Sequence, residues 1–284
     1  MKNTRNQQVN IPIPKLRPFE GHPFKVKDDE EMNTLIESVQ IQGILSPLIV
    51  RPIENTDEYE VISGHRRLHA AQKAGITEVP ALIYALDRDA AAIAVVDSNL
   101  HREHILPSEK AFAYKLKRDA MAHQGRTSPQ LGEKSLTVEK IGAEAGDSKN
   151  QVLRYIRLTH LIPELLDLMD EGKIALMVGE ALSYLGDKEQ CAVLEQCEMN
   201  DCTPSYAQAI EMKKRYQGRN LTVENISEIL SREKANQRET IKIPTEKLRK
   251  YAPNADAKQL EDFILKACEY YRKFLIRQRN RDER

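Results

Sequence analysis

The chain has 284 residues, enough for about two domains, and its 43 Lys and Arg are balanced by 43 Asp and Glu. A neutral total excludes recognition of an anionic partner by overall charge, so any nucleic-acid surface must come from local clustering. Cys191, Cys197, Cys202 and Cys268 form no CxxC pair and have no His at zinc-finger spacing, which argues against a metal finger or a disulfide framework.

The chain opens without an apolar h-region, and no apolar run approaches about 18 residues, so a soluble cytoplasmic chain with reduced thiols and no membrane contact is expected. In "DEEMNTLIESVQIQG", Met32, Leu35, Ile36 and Val39 form a helical stripe that stops at Gly43. "LIVRPI" (Leu48 to Ile53) and "YEVIS" (Tyr59 to Ser63) are β-rich runs separated by a polar "ENTDE", the pattern of a hairpin. "GHRRLHAAQKAG" then enters an Ala-rich helix, and "VPALIYAL" (Val79 to Leu86) reads as another strand. This alternation predicts a small α+β domain.

Beyond Asp87 helices take over. "RDAAAIAVVDSNL" is one, and Pro107 and Ser108 start the next, with Gly125 as its end. "RTSPQLGEKS" (Arg126 to Ser135) reads as a flexible loop. Thr137 is expected to cap a helix with Val138, Ile141 and Ala145 inward, broken at Gly146 and Asp147. Ser148 caps the next helix, in which Val152 and Ile156 face inward while Asn150, Arg154 and Arg157 lie roughly opposite. Two short helices joined by a Gly-containing turn, with Asn, Gln and Arg outward on the second, form a helix-turn-helix pattern. Arg bonds guanine bidentately and Asn or Gln adenine; an ordinary helical hairpin with a solvated face is the plain alternative. The candidate DNA contacts are Ser148, Lys149, Asn150, Gln151, Arg154 and Arg157, with Lys149 on phosphate and Arg154 on a base edge.

"SREKANQRETIKIPTEK" separates these helices from a last one near Gln259 to Arg279. There Leu260, Phe263, Ile264, Ala267, Tyr270, Tyr271 and Phe274 form an apolar stripe suited to pairing with a second chain or to folding back as core. The expected division is residues 1–100, 101–217 and 218–284, the last a linker with a C-terminal helical dimerisation unit.

The "GHRR" of residues 64–67 raises a sharper question. A glycine before a helix, unpaired first-turn amides and two guanidinium groups suit a phosphate, although Arg66 and Arg67 could equally pair with surface carboxylates. His101 and His104 are the only hint of a nuclease and read more simply as flanking residues.

Taken together, "IPIPKLRPFEGHPFKV", "LIESVQIQGILSPLIVRP", "ISGHRRLHAAQKAG", "SNLHREHILPSEKAFAYK" and "IPELLDLMDEGKI" resemble, in order, the motifs of the ParB/RepB/Spo0J family of partition proteins, from about Ile11 to about Leu185. The resemblance implies an α+β N-terminal ParB/sulfiredoxin-like domain, an all-α helix-turn-helix domain and a C-terminal helical unit. It further implies a nucleoid-associated, homodimeric DNA clamp that binds CTP with Mg²⁺, reads a palindromic parS-like site on double-stranded DNA and meets a ParA-type ATPase. Carried over residue by residue, Gly64, His65, Arg66 and Arg67 contact phosphates, Asn99 stands near the metal and Arg102 beside the phosphates. Three positions depart from the family: His65 and Ser98 stand where Glu is usual, and Ser46-Pro47 where Gln-Pro is frequent. Loss of a carboxylate beside Mg²⁺ implies slow or absent CTP hydrolysis, with Asp97 the adjacent substitute. A similar fold occurs in sulfiredoxin, but its reactive Cys falls on Gly64, leaving no thiol nucleophile. A helix-turn-helix regulator without nucleotide-dependent spreading stays open.

Overall fold

The computed structural model describes residues 8–102, 104–124, 133–232, 245–253 and 256–282. The chain divides into two compact units, residues 1–232 and 233–284.

In the first unit, β1 (Gln8–Pro12) passes through a 3-10 turn, Ile13–Lys15, into β2 (Leu16–Pro18). Next come α1 (Glu30–Gln42), β3 (Leu48–Pro52), β4 (Tyr59–Ser63), α2 (His65–Lys73), β5 (Glu78–Ile83) and α3 (Arg88–Asp97). The sheet order is β1-β5-β3-β4-β2. The expected hairpin is present, with Val50 opposite Val61 and Pro52 opposite Tyr59, while β3 and β5 run parallel. The last strand stops at Ile83, three residues short of the expected end at Leu86.

Strand periodicity sorts the side chains to the two faces of the sheet. Leu48, Val50 and Val61 are buried with Met32, Val39 and Leu68 of α1 and α2. Ile62, one position on, is buried instead with Phe19, Ala91, Val95 and Ala120. Helices α1 and α3 start on side-chain caps: the Asp29 carboxylate accepts from the Met32 N–H at 2.8 Å and Asp87 from that of Ala90 at 2.7 Å.

The remaining helices of this unit are α4 (Pro107–Gln124), α5 (Glu133–Ala145), α6 (Lys149–Leu158), α7 (Pro163–Asp170), α8 (Leu176–Leu182), α9 (Asp187–Met199), α10 (Tyr206–Gln217) and α11 (Val223–Ser231). Helix α4 packs Leu116 and Ala120 against the sheet layer, Tyr114 and Met121 against α5 and α6, and Ala111 against the bundle that follows. Because α3 and α4 pack together, the division expected at residue 100 falls between touching helices. Past the boundary expected at 218, Ile226, Ile229 and Leu230 of α11 lie in the bundle core. A further correction concerns α5, which begins at Glu133, so Thr137 sits inside the helix and not at its cap. Of the expected loop, residues 126–132 lie outside the described residues.

The second unit, described by itself, holds α12 (Thr245–Arg249) and α13 (Ala257–Asp282). Phe263, Tyr270, Tyr271 and Phe274 of the expected stripe are exposed on α13, and the Tyr271 and Phe274 rings stack at 6.4 Å. Among the described residues no helix is long and apolar enough to cross a membrane.

Candidate functional site

Strand β4 enters α2 through Gly64, whose φ of 105° lies in the left-handed region. A Cβ there would stand 3.0 Å from Leu48 Cγ and 3.2 Å from Arg67 Nη2, so glycine is needed for both its angle and its bareness. The first-turn amides of α2 have no partner within the helix and are available to an anion. His65 opens that turn. Its ring packs on His22 with centroids 3.7 Å apart and planes tilted by 36°. His65 Nε2 accepts from the Phe19 N–H at 3.5 Å. His22 Nδ1 lies 2.9 Å from the Phe24 carbonyl, so Nδ1 carries the proton and donates. That leaves His22 Nε2 as an acceptor, buried and without a hydrogen-bond partner. The Arg102 guanidinium lies over the Phe24 ring at 5.5 Å.

Burial, His22 and Arg102 push the His65 imidazole down to about 3. His22 is held down by burial and Arg102 against the raising effect of its bond to Phe24. Arg102 is itself depressed, first by burial and also by Arg66, while Glu109 acts the other way. Gly64, His65, Arg66 and Arg102 are thus brought to one locality, as the motifs suggest.

Several motif residues also have partners within the protein. Arg67 donates to the carbonyls of Ser46 and of Pro47, the latter at 2.8 Å, and so braces the turn before β3. Arg66 reaches the start of α1, 3.2 Å from Glu31 and 3.8 Å from Asp29. Asn99 is buried, and its amide donates to Val95 O at 2.7 Å and to Ser98 Oγ at 3.1 Å. Asp97, the carboxylate adjacent to Ser98, is paired with Lys117. Among the described residues no group of three or more His, Cys, Asp or Glu could hold a metal, and Mg²⁺ prefers one or two carboxylates besides phosphate. These residues therefore do not fit a Mg²⁺ site around Asn99. The guanidinium groups of Arg66 and Arg102 and the first-turn amides of α2 suit a phosphate chain.

The second locality is the α5–α6 turn. Gly146 breaks α5 with φ of 74°, and the Ser148 hydroxyl accepts from the Gln151 N–H at 3.3 Å, the expected cap. Asp147 ties the turn to α4, accepting from Tyr114 Oη at 2.6 Å and pairing with Lys110 at 2.7 Å. Val152 and Ile156 are buried as expected. A Cβ on Gly142 would stand 2.5 Å from the Asp147 carbonyl oxygen, a backbone atom that cannot swing away. Gly142→Ala is expected to cost about 2 kcal/mol as an overpacked turn, measured by chemical denaturation; an unchanged midpoint would show that the turn yields.

On the outer face of α6, Asn150, Leu153, Arg154 and Arg157 line an open groove of about 530 Å³ with Arg118, His160, Glu180 and Tyr184. Lys149 lies 2.9 Å from Glu139 and Arg154 3.1 Å from Glu180. Arg157 is turned further than its spacing suggests, donating to Ser183 O at 2.7 Å and lying over the Tyr184 ring at 4.2 Å. Burial lowers His160, and Arg157, Lys115 and Arg118 add to the effect, the signature of a cationic cluster. Sequence periodicity finds the α6 residues. It misses Arg118 and Tyr184, which arrive from α4 and from the end of α8, and His22, 43 positions from its partner in sequence.

The family model of the ParB N-terminal domain matches residues 1–100. The chromosome-partitioning protein Spo0J of Thermus thermophilus is 34% identical over 183 residues, covering 64% of this chain and 62% of that protein. The nucleoid occlusion protein of Geobacillus thermodenitrificans is 32% identical over 190 residues, 66% of this chain and 62% of the relative. A probable chromosome 1-partitioning protein ParB of Deinococcus radiodurans is 30% identical over 212 residues, 74% of this chain and 68% of its own length. The chain therefore spans somewhat less than two thirds of the first two relatives. Among solved structures, C-terminally truncated ParB from Caulobacter crescentus complexed to the centromeric parS site is 25% identical, covering 73% of this chain and 99% of that one with a TM-score of 0.42.

Proposed function

The chain belongs to the ParB family of partition proteins, and on that premise we propose that it partitions a replicon by binding a palindromic, parS-like DNA site through α5 and α6. The observation that carries this reading is the outer face of α6, where Asn150, Arg154 and Arg157 line one groove while Val152 and Ile156 are spent on the core. Side chains of these types reach base edges in a major groove. Ser148 and Gln151 at the helix start, with Lys149, are proposed to meet phosphates.

The first domain is proposed to bind CTP, named by the family resemblance. Gly64, His65 and Arg66 would hold its phosphates with Arg102 beside them, and Arg67 would keep the cradle in shape. Hydrolysis is proposed to be slow, since Ser98 replaces a Glu and Asp97 is held by Lys117. A palindrome calls for a two-fold dimer, for which α13 offers Phe263, Tyr270, Tyr271 and Phe274. A nucleoid-associated place in the cytoplasm and a ParA-type ATPase partner complete the proposal.

A second reading, a regulator that binds its site without spreading, is favoured by the engagement of Arg66 and Arg67 with protein acceptors. Sequencing of DNA crosslinked to the protein in cells separates the two. A sharp palindromic peak with broad shoulders is expected of a clamp, and a sharp peak alone of a regulator. Arg154→Ala should lose about 1–3 kcal/mol on that site and erase the peak, whereas Lys149→Ala should weaken specific and random DNA alike. Equal losses for both variants on both DNAs would remove Arg154 from base reading.

A further inference from the structure

His22 enters the α2 start from the segment after β2 and belongs to neither arginine motif. Its ring lies 3.7 Å from that of His65. Because Nδ1 donates to Phe24 O, Nε2 holds a lone pair, and that atom is buried with no partner. A buried acceptor with no donor is costly to keep. The groups around the pair are cationic or neutral. Arg102 acts on both rings, Arg66 acts on Arg102, and Phe19 and Phe24 offer a backbone N–H and a carbonyl. The carboxylate acting on Arg102 is that of Glu109, which accepts from the N–H groups of Lys25 and Leu106. Among the described residues no carboxylate acts on either imidazole.

We propose that His22 is a phosphate-binding residue, and that the His22–His65 pair meets the polyphosphate in protonated form, with His22 Nε2–H as a donor. This rests on the nucleotide reading above. Without ligand, burial and Arg102 keep both rings neutral and leave Nε2 unpartnered. A polyphosphate in the α2 cradle reverses the local charge. A proton taken from solvent onto Nε2 then turns the orphaned acceptor into a charge-assisted donor to a phosphate oxygen. One proton is gained, and no covalent bond between heavy atoms forms or breaks.

The test is calorimetric titration of the full chain with CTP from pH 8.0 to 5.5, in buffers of different protonation enthalpy. Uptake of about one proton is expected, with affinity rising by up to about tenfold for each unit of pH lost. His22→Gln should remove that uptake and most of the slope, and comparison with it subtracts the titration of CTP itself. CTP bound with the same proton count by the natural chain and His22→Gln would overturn the pairing and leave the nucleotide reading intact. Failure to bind CTP at every pH would sink both.

Discussion

Acidification is expected to destabilise the ligand-free protein by about 3 kcal/mol between pH 7 and pH 4 through His65 alone. The native imidazole is pushed from its ordinary 6.5 down to about 3, while the unfolded chain titrates normally. Above pH 6.5 both states are neutral and the full stability is present. Below it the unfolded state takes up a proton that the native state refuses, so stability falls until the pH passes about 3. Each unit of pH in that window costs about 1.4 kcal/mol, and His22, also depressed, adds in the same direction. Urea midpoints across the range measure the effect. Carboxylates contribute their own acid sensitivity, so the diagnostic quantity is the difference from His65→Gln, whose profile should be distinctly flatter. Parallel profiles would mean that the His65 ring finds water or a partner on protonation.

Lys117→Ala is expected to lower stability by about 3 kcal/mol at neutral pH. The Lys117 side chain is 2% exposed and pairs with both Asp97, at the end of α3, and Glu144, in α5. Burial works to neutralise the amine, but the hydrogen bonds and charges of the two carboxylates outweigh it and the net shift is upward. Removing one member of a buried ion pair costs about 3–5 kcal/mol because the remaining charge is stranded. Asp97 and Glu144 are 50% and 42% exposed and regain water, which keeps the cost at the lower end. Lys117→Met should recover about 1 kcal/mol by refilling the channel of the aliphatic stem. An alanine variant as stable as the parent would reduce the triad to a surface contact.

Much of the scaffold is legible in the residues because the signals are local. Met32 and Val39 lie on one stripe of α1, the "ENTDE" turn closes β3 on β4, and Ser148 caps α6 because its hydroxyl finds the amide of Gln151. Other placements depend on partners distant in sequence. Arg67 looks like a phosphate ligand until the turn at Ser46 and Pro47 arrives to take its donors. Arg157 has the spacing of a DNA contact, yet Ser183 and Tyr184, 26 and 27 residues later, claim much of its guanidinium. Asn99, placed near a metal by motif order, donates to Val95 O at the end of α3. Each is a competition between partners that only the folded chain brings together, and the stack of His22 on His65 is of the same kind.

Helix α4 has a thermodynamic consequence. Its residues are shared among the sheet layer, the α5–α6 pair and the later bundle, so none of these can melt without stripping a face of the helix that the others need. The first unit should then absorb heat in a single cooperative transition, and a ligand that binds only the native state raises the melting point of everything in that transition. A nucleotide held at the start of α2 would protect α6 from unfolding without touching it, and DNA held by α6 would protect the sheet.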